Sequence, residues 1–183
     1  MARSIRIYGD PVLRKKAAPI STITPEIRAL AQEMVDLMIA HEAVGLAATQ
    51  IGELCSIFVM RDEQMNEAGD YEFSAPQIII NPKLSSPSKE KKSQEEGCLS
   101  LPGISLDIIR PKSVQIRYQT LTGEWKEELF VDLKARVAMH ENDHLNGVLI
   151  LDRANRRDRA EALRELSNSS PQRRESKKRK LRK

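Results

Sequence analysis

The run His140-Glu141-Asn142-Asp143-His144 constrains this 183-residue chain more than any other five residues in it. On an α-helix, imidazoles four positions apart stack on one face, one turn from each other, where both reach a single metal ion. Glu141 lies about 100° further round the helix, where it flanks such an ion rather than ligating it, as suits a general base acting on water. The helix itself must be buried. Leu133, Val137, His140 and His144 fall on one helical stripe. Asp132 is placed to cap its start, and Gly147 stands where a left-handed residue closes its end. Imidazolium facing an apolar interior is costly, whereas neutral imidazole bound to a metal is a common solution. Two core histidines bonded to backbone carbonyls are the plainer alternative, but they leave Glu141 and Asp143 unexplained. The remaining histidine, His41, falls at the end of another helix, where a cation suits the dipole, and reads as structural.

The flanking segments supply sheets. Thr24-Pro25-Glu26 opens a helix with an N-cap, a proline and an acid, and Ile27, Leu30, Met34, Leu37 and Met38 continue it for about four turns. Gly45 to Gly52 is a small-residue stretch that lets another backbone or a bound peptide come close. Residues 54–60 read as a buried strand containing Cys55, and 62–75 as a polar loop. Residues 77–81 read as a strand stopped by Pro82, 85–94 as an exposed mobile connection, and 104–109 as extended. Val114, Ile116 and Tyr118 alternate with polar residues before a Thr122-Gly123 turn and a second strand at 125–131, a hairpin leading into the His140 helix. The expected fold is α+β, with mostly antiparallel sheets packed around a central metal-binding helix. Residues 153–166 are helix-prone and charged, with a narrow apolar stripe of Ala160, Leu163 and Leu166, and 167–171 break the helix.

The chain, at 20.7 kDa, suits one domain with a proper core. No apolar run approaches the roughly 18 to 20 residues of a membrane span. Residues 1–10 lack the apolar core of a signal peptide, so a cytosolic, bacterial protein is expected. Two cysteines in such a chain do not argue for a disulfide. Cys55 reads as a small buried hydrophobe, whereas Cys98, after Glu95-Glu96-Gly97, sits in a setting more typical of a functional stretch. The net charge of +4 is uneven: residues 171–183 carry +7, leaving −3 on the rest. That tail is expected to be disordered alone.

Two imidazoles leave a catalytic metal one protein ligand short. Cys98 can supply a thiolate, and the Leu99 backbone N–H with the Gln50 side-chain amide can supply two donors for a developing oxyanion. Three blocks, Gly45-Leu-Ala-Ala-Thr-Gln50, Glu96-Gly-Cys-Leu-Ser100 and His140-Glu-Asn-Asp-His144, resemble in order those of the peptide deformylases. The resemblance covers roughly residues 5 to 153 and implies a 1–153 deformylase catalytic domain, followed by a charged helix at 154–170 and the basic tail at 171–183. It implies that Cys98, His140 and His144 bind one divalent ion, ferrous iron with zinc, nickel or cobalt as substitutes. It further implies that Glu141 is the general base and that Gln50 and the Leu99 amide hold the oxyanion. Backbone around Val44, Gly45 and Gly97 would bind the peptide as an added strand, and Val44 and Val137 would line a pocket for methionine. The implied substrate is the N-formylmethionine end of new polypeptides, with formate released.

Two positions depart from the family pattern. Ala43 stands where a glycine is usual, and would be strained if the backbone there needs positive φ. Ser105 stands where several members have an arginine that anchors substrate. The nearest rival is a metallopeptidase with the same helix chemistry, which would need a histidine or acid rather than Cys98 as third ligand. A further alternative is an RNA- or ribosome-binding protein with a structural metal, for which the basic tail would supply phosphate contacts.

Overall fold

The computed structural model describes residues 3–65 and 70–169. Its elements are α1 (Pro25–Ala40), β1 (Gly45–Ala47), β2 (Ile57–Met60), β3 (Glu63–Met65), β4 (Tyr71–Phe73), β5 (Gln77–Ser85), β6 (Lys91–Gly97), β7 (Ser105–Pro111), β8 (Ser113–Gln119), β9 (Trp125–Val131), α2 (Asp132–Leu145), α3 (Ile150–Arg153) and α4 (Arg156–Ser169). The main sheet runs β1-β2-β5-β8-β9, and β3-β4 and β6-β7 form two-stranded ribbons. All these strand pairs are antiparallel. The α+β expectation holds.

The apolar pattern of each strand follows from how many faces it buries. β2 is buried at all four residues because it lies between two helices. Phe58 and Met60 pack with Val137, Ala138 and Met139 of α2, while Ile57 and Val59 pack with Met34, Val35 and Met38 of α1. In β8 only Val114, Ile116 and Tyr118 turn inward, toward α2. A third core joins Leu106 and Ile108 of β7 to Leu149, Ile150 and Ala162. α2 therefore has a sheet on one side and the β6-β7 ribbon on the other.

Several expectations fail locally. The 62–75 loop contains the β3-β4 ribbon. β5 does not stop at Pro82: the register shifts between Ile80 and Lys83, and a bulge admits a proline that a regular ladder excludes. There Asn81, at φ 51°, donates through Nδ2 to the Ile20 carbonyl and accepts the Ile20 N–H. The 85–94 connection becomes β6 from Lys91 onward. Asp132 does not cap α2: Val131 is its N-cap, and Asp132 is the first helical residue at φ 48°, with its N–H on the Lys112 carbonyl at 2.8 Å. Gly147, at φ 71°, closes α2 as expected. The helix expected over 153–166 starts three residues later, as α4, because α3 ends at Arg153 and Asn155 accepts the N–H groups of Arg157 and Asp158 and so starts α4 afresh. Its buried contact is Ala162 rather than Ala160, and α4 continues through Ser169. Cys55 is half-buried just before β2, bridged to Ala18. Residues 171–183 lie outside the described residues.

Candidate active site

α2 delivers His140 to the wall of a cavity of about 620 Å³ between β1 and β6, with His144 buried one turn further along the helix. His140 Nε2 and His144 Nε2 lie 3.2 Å apart, and Cys98 Sγ lies 3.2 Å from His144 Nε2. These three donor atoms all fall within 4.8 Å of one another. Cys98 follows the last residue of β6, so the ribbon carries it across to the helix.

The surroundings orient these donors toward a common point. His140 Nδ1 is bonded to Glu96 Oε2 at 2.9 Å, which leaves Nε2 facing the cluster. Glu96 also accepts from Arg110 through Nε at 2.6 Å and Nη2 at 2.9 Å, and from Arg136 Nη1 at 2.5 Å. Burial works against the Glu96 carboxylate, but bonds from His140 and Arg110 prevail and hold it at about 2. Arg110 Nη1 reaches Asp143 at 2.9 Å, and Asp143 in turn accepts from Arg153 at 2.6 Å. Burial opposes a charge on His140 too, yet Cys98 and Glu96 raise its basicity well above normal. His144 goes the other way, kept neutral by burial and by neighbouring His140.

Glu141 projects from α2 over Gly45. A Cβ at position 45 would stand 2.8 Å from the Glu141 carboxyl carbon, so a side chain there would push the carboxylate from its place. The small-residue stretch thus makes room for a carboxylate from within the chain. Burial pushes Glu141 up to about 7, against the opposing pull of His140 and Arg110. Its Oε2 and His144 Nδ1 are buried side-chain atoms without a hydrogen-bond partner among the described residues. A thiol and two imidazole nitrogens packed this closely, in a cavity that Glu141 also lines, satisfy a divalent cation better than they satisfy one another.

Gln50 sits in a 3-10 turn after β1 and is 2% exposed. Its Oε1 takes the Ala47 N–H at 2.9 Å, which points Nε2 toward Cys98 Sγ (3.6 Å) and Ser100 Oγ (3.3 Å). Thr49 ties this turn to α2 by donating to the His144 carbonyl at 3.1 Å. Val44, Gly45, Gly97, Leu99, Ser105 and Val137 all line the cavity. The Arg61 N–H donates to the Val44 carbonyl, making 44 and 61 a hydrogen-bonded pair. By antiparallel alternation the N–H and C=O of Gly45 then turn away from β2, toward the open edge of the sheet.

Ala43 is not at positive φ; Glu42 is, at 54°. The substitution at 43 is therefore free of the strain considered above. Ser105 faces Gly97 across the ribbon, with Oγ near the cavity wall. His41 caps α1 on the cavity rim, away from the Cys98–His140–His144 cluster. The residues that local reading missed are Glu96, Arg110, Arg136, Asp143 and Arg153. One signal was available: period two along β7 puts Arg110 on the same inward face as Leu106 and Ile108, where an arginine needs partners.

The comparisons with known proteins agree with this geometry. The family model for polypeptide deformylase matches residues 2–160. The peptide deformylase of Pseudothermotoga lettingae is 43% identical over 152 residues, 83% of this chain and 82% of that one. The crystal structure of a peptide deformylase from Synechococcus elongatus in complex with actinonin superposes with a TM-score of 0.82 at 36% identity, covering 90% of this chain and 88% of that one. A Met-Ala-Ser-bound class I type b peptide deformylase from Acinetobacter baumannii gives 0.76 at 30% identity, over 84% and 98%. With a Cys/His/His cluster, a carboxylate beside it and matches across nearly the whole described chain, this protein belongs to the peptide deformylase family, metal-dependent hydrolases that deformylate nascent peptides.

Proposed function

We propose that the cavity is where this chain performs that hydrolysis, with Cys98, His140 and His144 holding ferrous iron. The observation that carries the reading is the convergence of Cys98 Sγ and two histidine Nε2 atoms beside the buried, unpartnered oxygen of Glu141. Zinc, nickel or cobalt would fit the same donors. When bound, the ion supplies Lewis acidity that makes water a nucleophile near neutral pH.

The chain's own groups do the rest. Glu141, held over Gly45, takes the proton from the attacking water and returns it to the leaving amine. Gln50 Nε2 and the Leu99 N–H donate to the oxygen of the formyl group as charge gathers on it. Gly45 offers its N–H and C=O along the open edge of the sheet, and Val44 and Gly97 complete a groove in which the peptide lies as an added strand. Val44 and Val137 line the pocket for an unbranched methionine side chain. The products are formate and a peptide with a free N-terminal methionine.

The test is an anaerobic assay of formate release from formyl-Met-Ala, with metal analysis of the same sample. Turnover should require about one divalent ion per chain, disappear on chelation and return with ferrous iron. Cleavage of an unformylated peptide, or full turnover by the metal-free protein, overturns the assignment. We further propose a cytosolic enzyme that meets nascent chains at the ribosome, with α4 and residues 171–183 contacting rRNA phosphates in a salt-sensitive way. Truncation after Ser170 should weaken ribosome co-sedimentation and leave hydrolysis of the small peptide intact.

A further inference from the structure

The stretch 42–45, which walls the peptide side of the cavity, is fastened by a side chain that takes no part in the chemistry. It lies between the end of α1 and β1, with Glu42 at φ 54°, a conformation unusual for a side-chain-bearing residue. The Ala43 N–H returns to α1 through the Met38 carbonyl at 2.9 Å. The two carbonyls that follow both go to Arg61. Its backbone N–H donates to Val44 O at 2.9 Å, and its side-chain Nε donates to Ala43 O at 2.9 Å. The guanidinium carbon rests 3.7 Å from the centre of the Phe73 ring on β4. Arg61 is thus gripped by a carbonyl and an aromatic face, a geometry that suits a planar cation.

We infer that Arg61, seated on Phe73, is a positioning residue that sets the direction of the peptide-binding edge. Its backbone continues the β1-β2 pairing by one residue, and its side chain extends that hold to Ala43, where the ladder has ended. With both carbonyls directed to Arg61, Gly45 presents its N–H and C=O to the cavity. Loss of the Nε bond leaves Ala43 O, beside the positive-φ turn, without that donor, and Gly45 is then held only by the backbone pairing of Val44 with Arg61, so its groups are directed less firmly. The inference rests on the reading of Gly45 as the edge that receives substrate. Contacts from an extended backbone act alike on bound substrate and transition state, so they govern KM rather than kcat.

The test uses Arg61→Met, which removes donor and charge but keeps an apolar stem on Phe73, and Arg61→Lys, which keeps both. Kinetics on formyl-Met-Ala-Ser, thermal midpoint and metal content are measured for each. Arg61→Met should raise KM roughly fivefold, the loss expected of one ordinary hydrogen bond, with kcat within about twofold. Arg61→Lys should restore most of the affinity, and Phe73→Leu should raise KM in the same direction but by less. An unchanged KM in Arg61→Met, even with a lower thermal midpoint, would show that Arg61 only ties the β3-β4 ribbon down. A fall in kcat at constant KM would overturn the inference equally. Binding of the Met-Ala-Ser tripeptide by calorimetry gives a readout independent of turnover. If the wild type binds the tripeptide but releases no formate, the chemistry fails while the edge is still tested; equal affinity in wild type and Arg61→Met would sink the edge.

Discussion

On one wall of the cavity His140 is held by Glu96, Glu96 by Arg110 and Arg136, and Arg110 and Arg153 by Asp143; on the other, residues 42–44 hang by one hydrogen bond each from Ile39 and Met38 and by two from Arg61. The first wall is redundant and dry, with the Glu96 and Arg110 side chains each 5% exposed. Its ion pairs need not add net stability, because desolvating them offsets much of their attraction. What they do is permit one orientation of the His140 ring. The second wall is partly exposed and lightly held, as suits the strand-accepting edge proposed for it. Chemistry here depends on groups fixed to fractions of an ångström, and binding along an edge does not.

That contrast can be broken at graded strength. The largest effect should come from Glu141→Gln, which keeps size and the three proposed metal-binding groups but removes the proposed proton acceptor. Formate release should fall about a thousandfold with metal content unchanged, and near-normal turnover would end the assignment of Glu141 as base. Next, Arg110→Met leaves Glu96 and Asp143 each short of a partner inside the protein. The expected loss is about 3 kcal/mol of folding stability, read by urea unfolding of the metal-loaded protein. A loss no greater than that of an exposed ion pair would mean the network is wetter than its burial indicates.

Gly45→Ala comes third and sits where the two walls meet. The new methyl must displace the Glu141 carboxylate or the β1 backbone, and a shift of about an ångström in a catalytic group costs on the order of a hundredfold in rate. The fold should survive, so the thermal midpoint should move little while kcat drops; a loss in KM alone would place the clash on the peptide rather than on Glu141. The smallest change should be Ala43→Gly. Because position 43 has no positive φ and its methyl group packs on the α1 core rather than on the metal-binding cluster, kinetics should stay within about twofold, with a slight loss of stability from the lost methyl and from added freedom in the unfolded chain. A marked gain in activity would show that the Ala43 side chain obstructs substrate.

The parts of the site that could be read early are those whose spacing is local. His140 and His144 lie one turn apart on any helix, and the apolar stripe beside them says which way they face. The Thr24-Pro25 start of α1 and the β8-β9 hairpin are written in neighbouring residues in the same way. Reading failed where a partner is remote. Pro82 looks like a strand stop until Asn81, bonded to Ile20 and Gln119, accommodates a bulge. Asp132 looks like a cap until β9 hands the chain into α2 at positive φ. Asn155 divides two helices that the charge pattern joins.

By itself the sequence determined the histidine pair, the helix that presents it, the family and the alternation of the strands, because each depends on residue identity and on spacings within a motif, a turn or a strand. Tertiary structure alone decided how those donors are held. Glu96 stands 44 positions from His140 and 40 from Arg136, yet lies within hydrogen-bond distance of both. Strand register brings such groups together, and register depends on which strands pair and on the bulges between them. The same holds for Gly45: its composition announces that something comes close, but only the pairing of Val44 with Arg61 turns its backbone to the open edge, and only the packing of α2 places a carboxylate above it.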